Sequence, residues 1–308
     1  MSATSATLAA ASAVRLPSKG PGRVGPNHLA WLILPAGVIF VLFFFVPIGL
    51  MAVISLLTGN PVTAPRVAFT TRYYERFLND SYHFEVLWTT IRIGLTTTAI
   101  SILLGYPLAH WMARIRSRAG HGLLLMAVLT PMLTGIVVRT FAWMTILSDN
   151  GVLNQTLKWL GLIGKPLPIM GTETAIVIGL VHIYIPYMVL TLAGVISRID
   201  ERLEQAAQNL GASPLRAFVE VTLPLSMPGV LAGSMLVFAL AISAYVTPLL
   251  MGGAQIMTLP LLIYQQIAAS FNVGFAAALG MILLVISMIV IMSYNRVLAR
   301  AAGRSEIG

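Results

Sequence analysis

The sequence predicts an all-α membrane protein with six transmembrane helices, and three observations carry that prediction. Of 308 residues, 57% are hydrophobic and only 9% are charged, against about 25% charged residues in soluble domains, and the mean hydropathy is +0.88. The apolar residues gather into six runs long enough to cross a hydrocarbon core of about 30 Å, which takes about 20 residues. The basic residues, finally, are shared unequally among the segments between those runs.

The first run, 30–57, is longer than a signal-peptide core of about 7 to 15 residues. No small-residue cleavage site ends it before Thr58, Gly59 and Asn60, so it is expected to be retained. Residues 1–28, rich in Ser, Ala, Thr, Gly and Pro, are expected to form a disordered cytoplasmic tail. The remaining runs cover 86–112, 122–147, 174–197, 226–250 and 274–297. They give one six-span domain over 29–297 with its core at 86–297, followed by a cytoplasmic tail at 298–308. Pro35, Pro47, Pro107, Pro131, Pro186 and Pro248 interrupt the runs. Neighbouring helices can satisfy the freed backbone groups in a membrane bundle, and discontinuous helices recur in transporters.

Orientation follows from the 19 Lys and Arg. With a cytoplasmic N-terminus, the inner side receives Arg15, Lys19, Arg23, Arg114, Arg116, Arg118, Arg198, Arg202, Arg216, Arg296, Arg300 and Arg304. The outer side receives Arg66, Arg72, Arg76, Lys158 and Lys165, mixed with Glu75, Asp80, Glu85, Asp149 and Glu173. That asymmetry follows the positive-inside rule and places both termini in the cytoplasm. The net charge of +9 is thereby used in setting topology, which leaves no basic patch for nucleic acid. Arg92 and Arg139 fall inside runs. Arg92 is near enough to the outer end to snorkel. Arg139 lies deeper, where an arginine costs about 2.5 to 3.5 kcal/mol unless it meets a partner or a water-filled path.

Several chemistries are disfavoured. Without cysteine there is no disulfide, thiolate metal site or Cys nucleophile. His28, His83, His110, His121 and His182 lack metal-ligand spacing, so no metal site is expected. Gly20 to Gly25 fits GxGxxG, but no strand precedes it and Pro21 and Pro26 oppose a helix start, so it is a chance match. No GxxxxGK[ST] loop occurs, so the chain is not expected to bind ATP that way. Asn79-Asp80-Ser81 and Asn154-Gln155-Thr156 fit a glycosylation triplet that is frequent by chance. No Ser, His and acid cluster suggests a hydrolase.

One connection, about 198–225, carries a distinctive pattern. It reads as two short amphipathic helices around a turn. Asp200 or Ser197 caps the first, with Leu203, Ala206, Ala207 and Leu210 as its apolar stripe, and Gly211 supplies a left-handed C-terminal position. Ser213 caps the second, Pro214 takes its first position, Leu215, Phe218, Val219 and Val221 form its buried face, and Pro224 ends it. Two readings stand side by side on physics alone: a helix presented to a partner protein, or a connector packed beneath the bundle. Small residues at Ala206 and Ala207 would let another backbone approach.

The loop closely resembles the EAA loop of binding-protein-dependent ABC importer permeases. Ala206 and Ala207 precede Gly211 at the family's distance, and Val221, Leu223 and Pro224 match its hydrophobic-x-Leu-Pro ending. Gln205 occupies the family's Glu position, with Glu204 one residue earlier, so an amide replaces a charge there. The resemblance implies a type I ABC importer permease fold in a bacterial inner membrane. It also implies a coupling helix seated in a cytoplasmic ABC ATPase dimer that holds the ATP, a second permease subunit, chiefly in a heterodimer, and a periplasmic solute-binding protein. The chain itself is expected to hold no cofactor and to be no enzyme.

The run from Pro131 to Asn154, with Arg139-Thr-Phe-Ala-Trp143 and Asn150-Gly151, is similar to spermidine/putrescine permeases, as is Val246-Thr-Pro248 to Gly253. Relatives of that subfamily carry opines, other amino compounds or phosphonates. A polyamine favours carboxylates and aromatic faces, and the candidates for a translocation path are Arg139, Trp143, Asp149, Tyr184, Tyr187 and Tyr245. Each also has an ordinary reading. Trp143 and Tyr245 suit packing or the interface belt, Asp149 suits a turn, and His182 suits a helix-to-helix hydrogen bond. Arg139 suits a structural pair, and would repel a cation unless turned away while favouring an anionic or zwitterionic ligand. An ion-coupled carrier would need buried Asp or Glu, and a membrane enzyme a clustered catalytic set; neither pattern is present.

Overall fold

The computed structural model describes residues 26–58, 68–253 and 255–303. They form helices without an extended strand, the one β-bridge being Leu57 to Phe69. Of the expected tails at 1–28 and 298–308, residues 1–25 and 304–308 lie outside the described residues, while 26–28 and 298–303 are helical and belong to the first and last helices. The chain divides into two units, residues 1–50 and 51–308. The described part of the first is most of α1 (Pro26–Ser55), an apolar helix containing Pro35 and Pro47. Its mean hydropathy over Gly37–Ser55 is 2.8, and large side chains such as Phe40, Phe43 and Phe45 are exposed along it.

The second unit begins with α2 (Arg72–Asn79), followed by the long α3 (Ser81–Arg114). Asp80 starts α3 by accepting from the Tyr82 N–H at 3.0 Å, so the first glycosylation triplet is a capping sequence. Next come α4 (Arg118–Leu133), α5 (Ile136–Leu147), α6 (Val152–Trp159) and α7 (Glu173–Ile196). After these follow α8 (Glu201–Asn209), α9 (Pro214–Ala217), a π turn (Phe218–Thr222) and α10 (Leu223–Ile242). The unit closes with α11 (Val246–Met251), α12 (Leu259–Ala268) and α13 (Val273–Gly303).

The core is built around α7, which is buried along most of its length between α3 and α10. Lipid is as apolar as leucine, so helices in a membrane associate through close packing at small residues. Gly229 of α10 shows the effect: a Cβ there would stand 2.9 Å from the Val195 Cβ of α7. Likewise, a Cβ on Gly233 would meet the Met188 sulfur at 2.7 Å. Contacts between ends fix the directions. Arg92 near the start of α3 pairs with Glu173 at the start of α7, whereas Tyr106 in the second half of α3 bonds Ser226 at the start of α10. Thus α3 and α7 run parallel, and α10 runs against both. A second cluster, Phe77, Val86, Leu259, Leu262, Phe275 and Leu279, ties α2, α12 and the start of α13 to the start of α3.

Two of the six expected spans are discontinuous. Among the described residues, five helices are long and apolar enough to cross a membrane, and the count reaches six only with a bent pair as one span. That pair is the expected 122–147 run, broken at Thr134-Gly135 with a 97° bend between α4 and the helices after it. Pro131 in the last turn of α4 lacks an N–H, and the chain leaves the helix with Thr134 N–H donating to the Pro131 carbonyl at 3.2 Å. The expected 226–250 run stops at Ile242, and three irregular residues precede α11.

Candidate functional site: the α8–α9 segment and the membrane cleft

The local predictions for the 198–225 segment hold where the chemistry is short-range. Asp200 caps α8 by accepting from the Arg202 N–H at 2.9 Å. Gly211 takes φ +94°, a left-handed conformation that glycine adopts without steric cost. Ser213 caps α9 by accepting from the Arg216 N–H at 3.3 Å, with Pro214 in the first turn.

Burial differs from expectation. Leu203 and Leu210, expected as an apolar stripe, are exposed, Leu210 by 91%. Leu215 and Val219 are exposed as well, and the chain instead buries Ala217 and Thr222, with Phe218 and Val221 half-buried. Gln205 and Ala206 are exposed and Ala207 is half-buried. Pro224 does not end the second helix. The π turn receives the Leu223 N–H at the Phe218 carbonyl, five residues back, and the helix continues into α10 with Pro224 in its first turn. The wider turn removes the clash a proline ring makes with the carbonyl four residues earlier.

Beneath this exposed face lies a polar assembly absent from the sequence reading. Arg114, in the last turn of α3, donates from Nη1 to the Ile199 carbonyl at 3.0 Å. Its Nη2 stands 3.6 Å from Glu204 Oε1, and Nη1 stands 3.8 Å from Glu201. Arg116 donates to Glu201 at 3.0 Å. Thr222, in the π turn, donates to the same Glu204 oxygen. Glu204 therefore faces inward to its own subunit, and Gln205 is the residue left facing outward.

The residues proposed for a translocation path do not form one cluster. Trp143 of α5 meets His182 of α7 edge-on, with ring centres 5.5 Å apart. Both line a membrane-level cleft of about 310 Å³ with Ile100, Leu104 and Val181. His182 Nδ1 is buried with no hydrogen-bond partner among the described residues, so the expected helix-to-helix bond is not formed. Arg139 lies one turn before Trp143, in the first turn of α5 just after the break, rather than at a helix centre. Its Nε and Nη1 are buried without a partner among the described residues. Tyr184 is buried in the core with Tyr187 at 6.3 Å. Tyr245 stacks on Tyr264 at 5.2 Å, and Asp149 is exposed on the turn after α5.

Arg92 is paired with Glu173, an interaction separated by 81 residues in sequence, rather than simply extended to the interface. The pair borders a polar cleft of about 160 Å³ with Tyr82, Glu85, Thr89 and Gln255. Asn154 is fully buried, bonding Ser148 and both backbone groups of Leu167, which takes it out of use as a glycosylation acceptor.

A bundle of discontinuous apolar helices from which a capped, exposed helical turn protrudes is the architecture of an ABC importer permease. The chain belongs to the binding-protein-dependent transport system inner membrane component family, whose model matches residues 25–302. It is an inner-membrane, multi-pass permease subunit. It is 35% identical over 256 residues to the spermidine/putrescine transport system permease protein PotB of Escherichia coli K12, covering 83% of this chain and 92% of that protein. The molybdenum transport system permease protein ModB of Mycobacterium bovis is 31% identical over 218 residues, covering 67% and 76%. In fold the chain is similar to a bacterial ABC transporter involved in import of the acidic polysaccharide alginate, with a TM-score of 0.68 at 18% identity, covering 88% and 95%. A second likeness is to the MetNI methionine ABC transporter, with a TM-score of 0.53 at 15% identity, covering 71% and 95%.

Proposed function

We propose that this chain is the membrane-spanning half of an importer for a polyamine such as putrescine or spermidine, delivered by a periplasmic binding protein. ATP is hydrolysed on a separate ATPase dimer, and the chain holds no cofactor of its own. The observation that carries the reading is the exposed α8–α9 turn in a chain 35% identical to PotB. Glu204, Gln205, Ala206, Ala207, Gly211, Leu223 and Pro224 belong to this coupling loop. Gln205, Ala206 and the exposed leucines are its docking face, and Glu204 is its internal anchor. A second, different permease supplies the other half of the pathway. Both termini are cytoplasmic, so the cleft beside Glu85 and Glu173 opens outward and receives an amine released from the binding protein.

Substitution of Gly211 tests the docking. Proline fixes φ near −65°, far from the +94° at this position. Gly211→Pro, or Ala207→Arg on the docking helix, is expected to abolish co-purification of the ATPase or to leave ATP hydrolysis running without uptake. Normal uptake in both variants refutes the assignment. A second reading rests on Arg139, whose Nε and Nη1 have no partner among the described residues and favour a ligand with a carboxylate, such as an amino-acid-like or opine compound. Stimulation of the ATPase by binding protein loaded with putrescine supports the first reading, and stimulation only by a zwitterionic ligand supports the second.

A further inference from the structure

Three residues one turn apart on α3 face three residues one turn apart on the segment that joins the coupling loop to α10. Tyr106 bonds Ser226 between hydroxyls 2.6 Å apart, in a buried contact. Phe218 of the π turn is met edge-on by both Tyr106 and His110, with ring centres 5.6 Å and 5.3 Å away. Arg114 reaches Glu204, and the same carboxylate oxygen receives the hydroxyl of Thr222, which is fully buried. The spacing 106, 110, 114 is the period of four that places side chains on one helix face, and 218, 222, 226 repeats it on the opposing chain. Arg114 makes a further bond, to the Ile199 carbonyl at 3.0 Å, immediately before the cap of α8.

The geometry points to Arg114 as a positioning residue that fastens the coupling helix to α3, so that α3, α8 and the start of α10 move as one body when the ATPases close. This rests on the permease reading given above. A coupling helix joined to the bundle only through its chain connections would transmit a push through the short connections to α7 and α10, which would absorb part of the displacement. Arg114 closes that route. Its side chain is only 16% exposed and Glu204 only 22%, so their attraction is less screened by solvent than that of an exposed pair. The guanidinium donates to the Ile199 carbonyl from Nη1 while Nη2 faces the Glu204 carboxylate at 3.6 Å as an ion pair without a hydrogen bond, a two-sided reach that a lysine ammonium reproduces poorly. The π turn belongs to the same device. Its extra residue sets Thr222 beneath Glu204 while Ser226 remains opposite Tyr106, and such turns recur at functional sites.

The native chain contains no cysteine, so paired labels can be introduced cleanly. Spin labels at Trp111→Cys on α3 and Gln208→Cys on α8, both at exposed positions, are measured in the complete complex without nucleotide and after trapping with ATP. The expected result is one narrow distance distribution, unchanged between the two states; a change of several ångströms overturns the proposal without any further substitution. In the second arm, Arg114→Gln is expected to retain the ATPase on purification, to lower uptake at least tenfold, and to broaden the distance distribution. Arg114→Lys is expected to recover only part of the uptake. Normal uptake in Arg114→Gln overturns the proposal, as does loss of uptake with an unbroadened distance. If Arg114→Gln fails to accumulate, Thr222→Val, which removes the hydroxyl bond to Glu204, is read by the same distance and uptake measurements. Failure of the wild-type chain to bind any ATPase would instead remove the permease reading itself, so the two failures are distinct.

Discussion

The amide of Asn154 donates to the carbonyls of Ser148 and Leu167, each at 3.1 Å, and accepts from the Leu167 N–H at 2.8 Å, with no exposure to solvent. Leaving such buried groups unpaired costs about 1 to 3 kcal/mol. Asn154→Ala is therefore expected to lower stability by that amount, read as a reduced unfolding temperature of the purified complex. Asn154→Asp, which turns a second carboxylate oxygen toward the Ser148 and Leu167 carbonyls in a buried site, is expected to be at least as destabilising as Asn154→Ala. At this scale the sequence was informative wherever a side chain acts within three residues of itself. Asp200, Gly211 and Ser213 do so, and each stands in the predicted role. It was silent where the partner is remote: Arg92 and Glu173 are 81 residues apart, and Arg114 meets Ile199 across 85. Periodicity does carry one overlooked signal, the stripe Tyr106, His110 and Arg114 spaced four apart at the end of the 86–112 run and just beyond it.

Helix boundaries were harder to read than helix existence, for a reason particular to membranes. Apolar runs report which residues avoid water, and a bend or a π turn changes that composition not at all. Pro131 and Gly135 punctuate one run and Pro224 stands just before another, yet the first proline accompanies a 97° break and the second sits within a continuous helix. What separates them is the turn preceding Pro224, widened by one residue, at which Phe218 packs edge-on against Tyr106 and His110. Deleting Val219 tests the importance of that extra residue. A regular turn would rotate everything before it by about 100° relative to α10, carrying Thr222 away from Glu204 or Ser226 away from Tyr106. Uptake is expected to be lost, and the coupling segment is expected to become accessible to protease in the assembled complex. Short interfacial helices such as α2 were not foreseen, because eight residues give too little length for a hydropathy run.

Composition and charge set the class of the whole molecule, and the distribution of arginine sets its expected direction. Alkaline phosphatase fused after Leu160, in the connection expected to lie outside, should be active, and the same reporter fused after Arg216 should be inactive. The reverse pattern would invert the proposed topology and with it the placement of the ATPase. At this scale the substrate is the part that a single chain conveys least. The described carboxylates stand at or beyond helix ends, and Trp143, Tyr184 and Tyr245 occupy separate surroundings rather than one shared site. On the proposed pairing with a second, different permease, the pathway would be lined by both and its recognition chemistry divided between two sequences.

The leucines of the α8–α9 turn have a consequence for how the cell makes this protein. Leu210 and Leu215 stand 91% and 73% exposed at the part of the chain assigned to the ATPase. If the proposed ATPase covers them, a permease inserted without it would leave this apolar surface facing water, where it is prone to association with other proteins. On the proposed docking, the same face would also serve as an assembly checkpoint, and the abundance of the permease is expected to fall when its ATPase is not made.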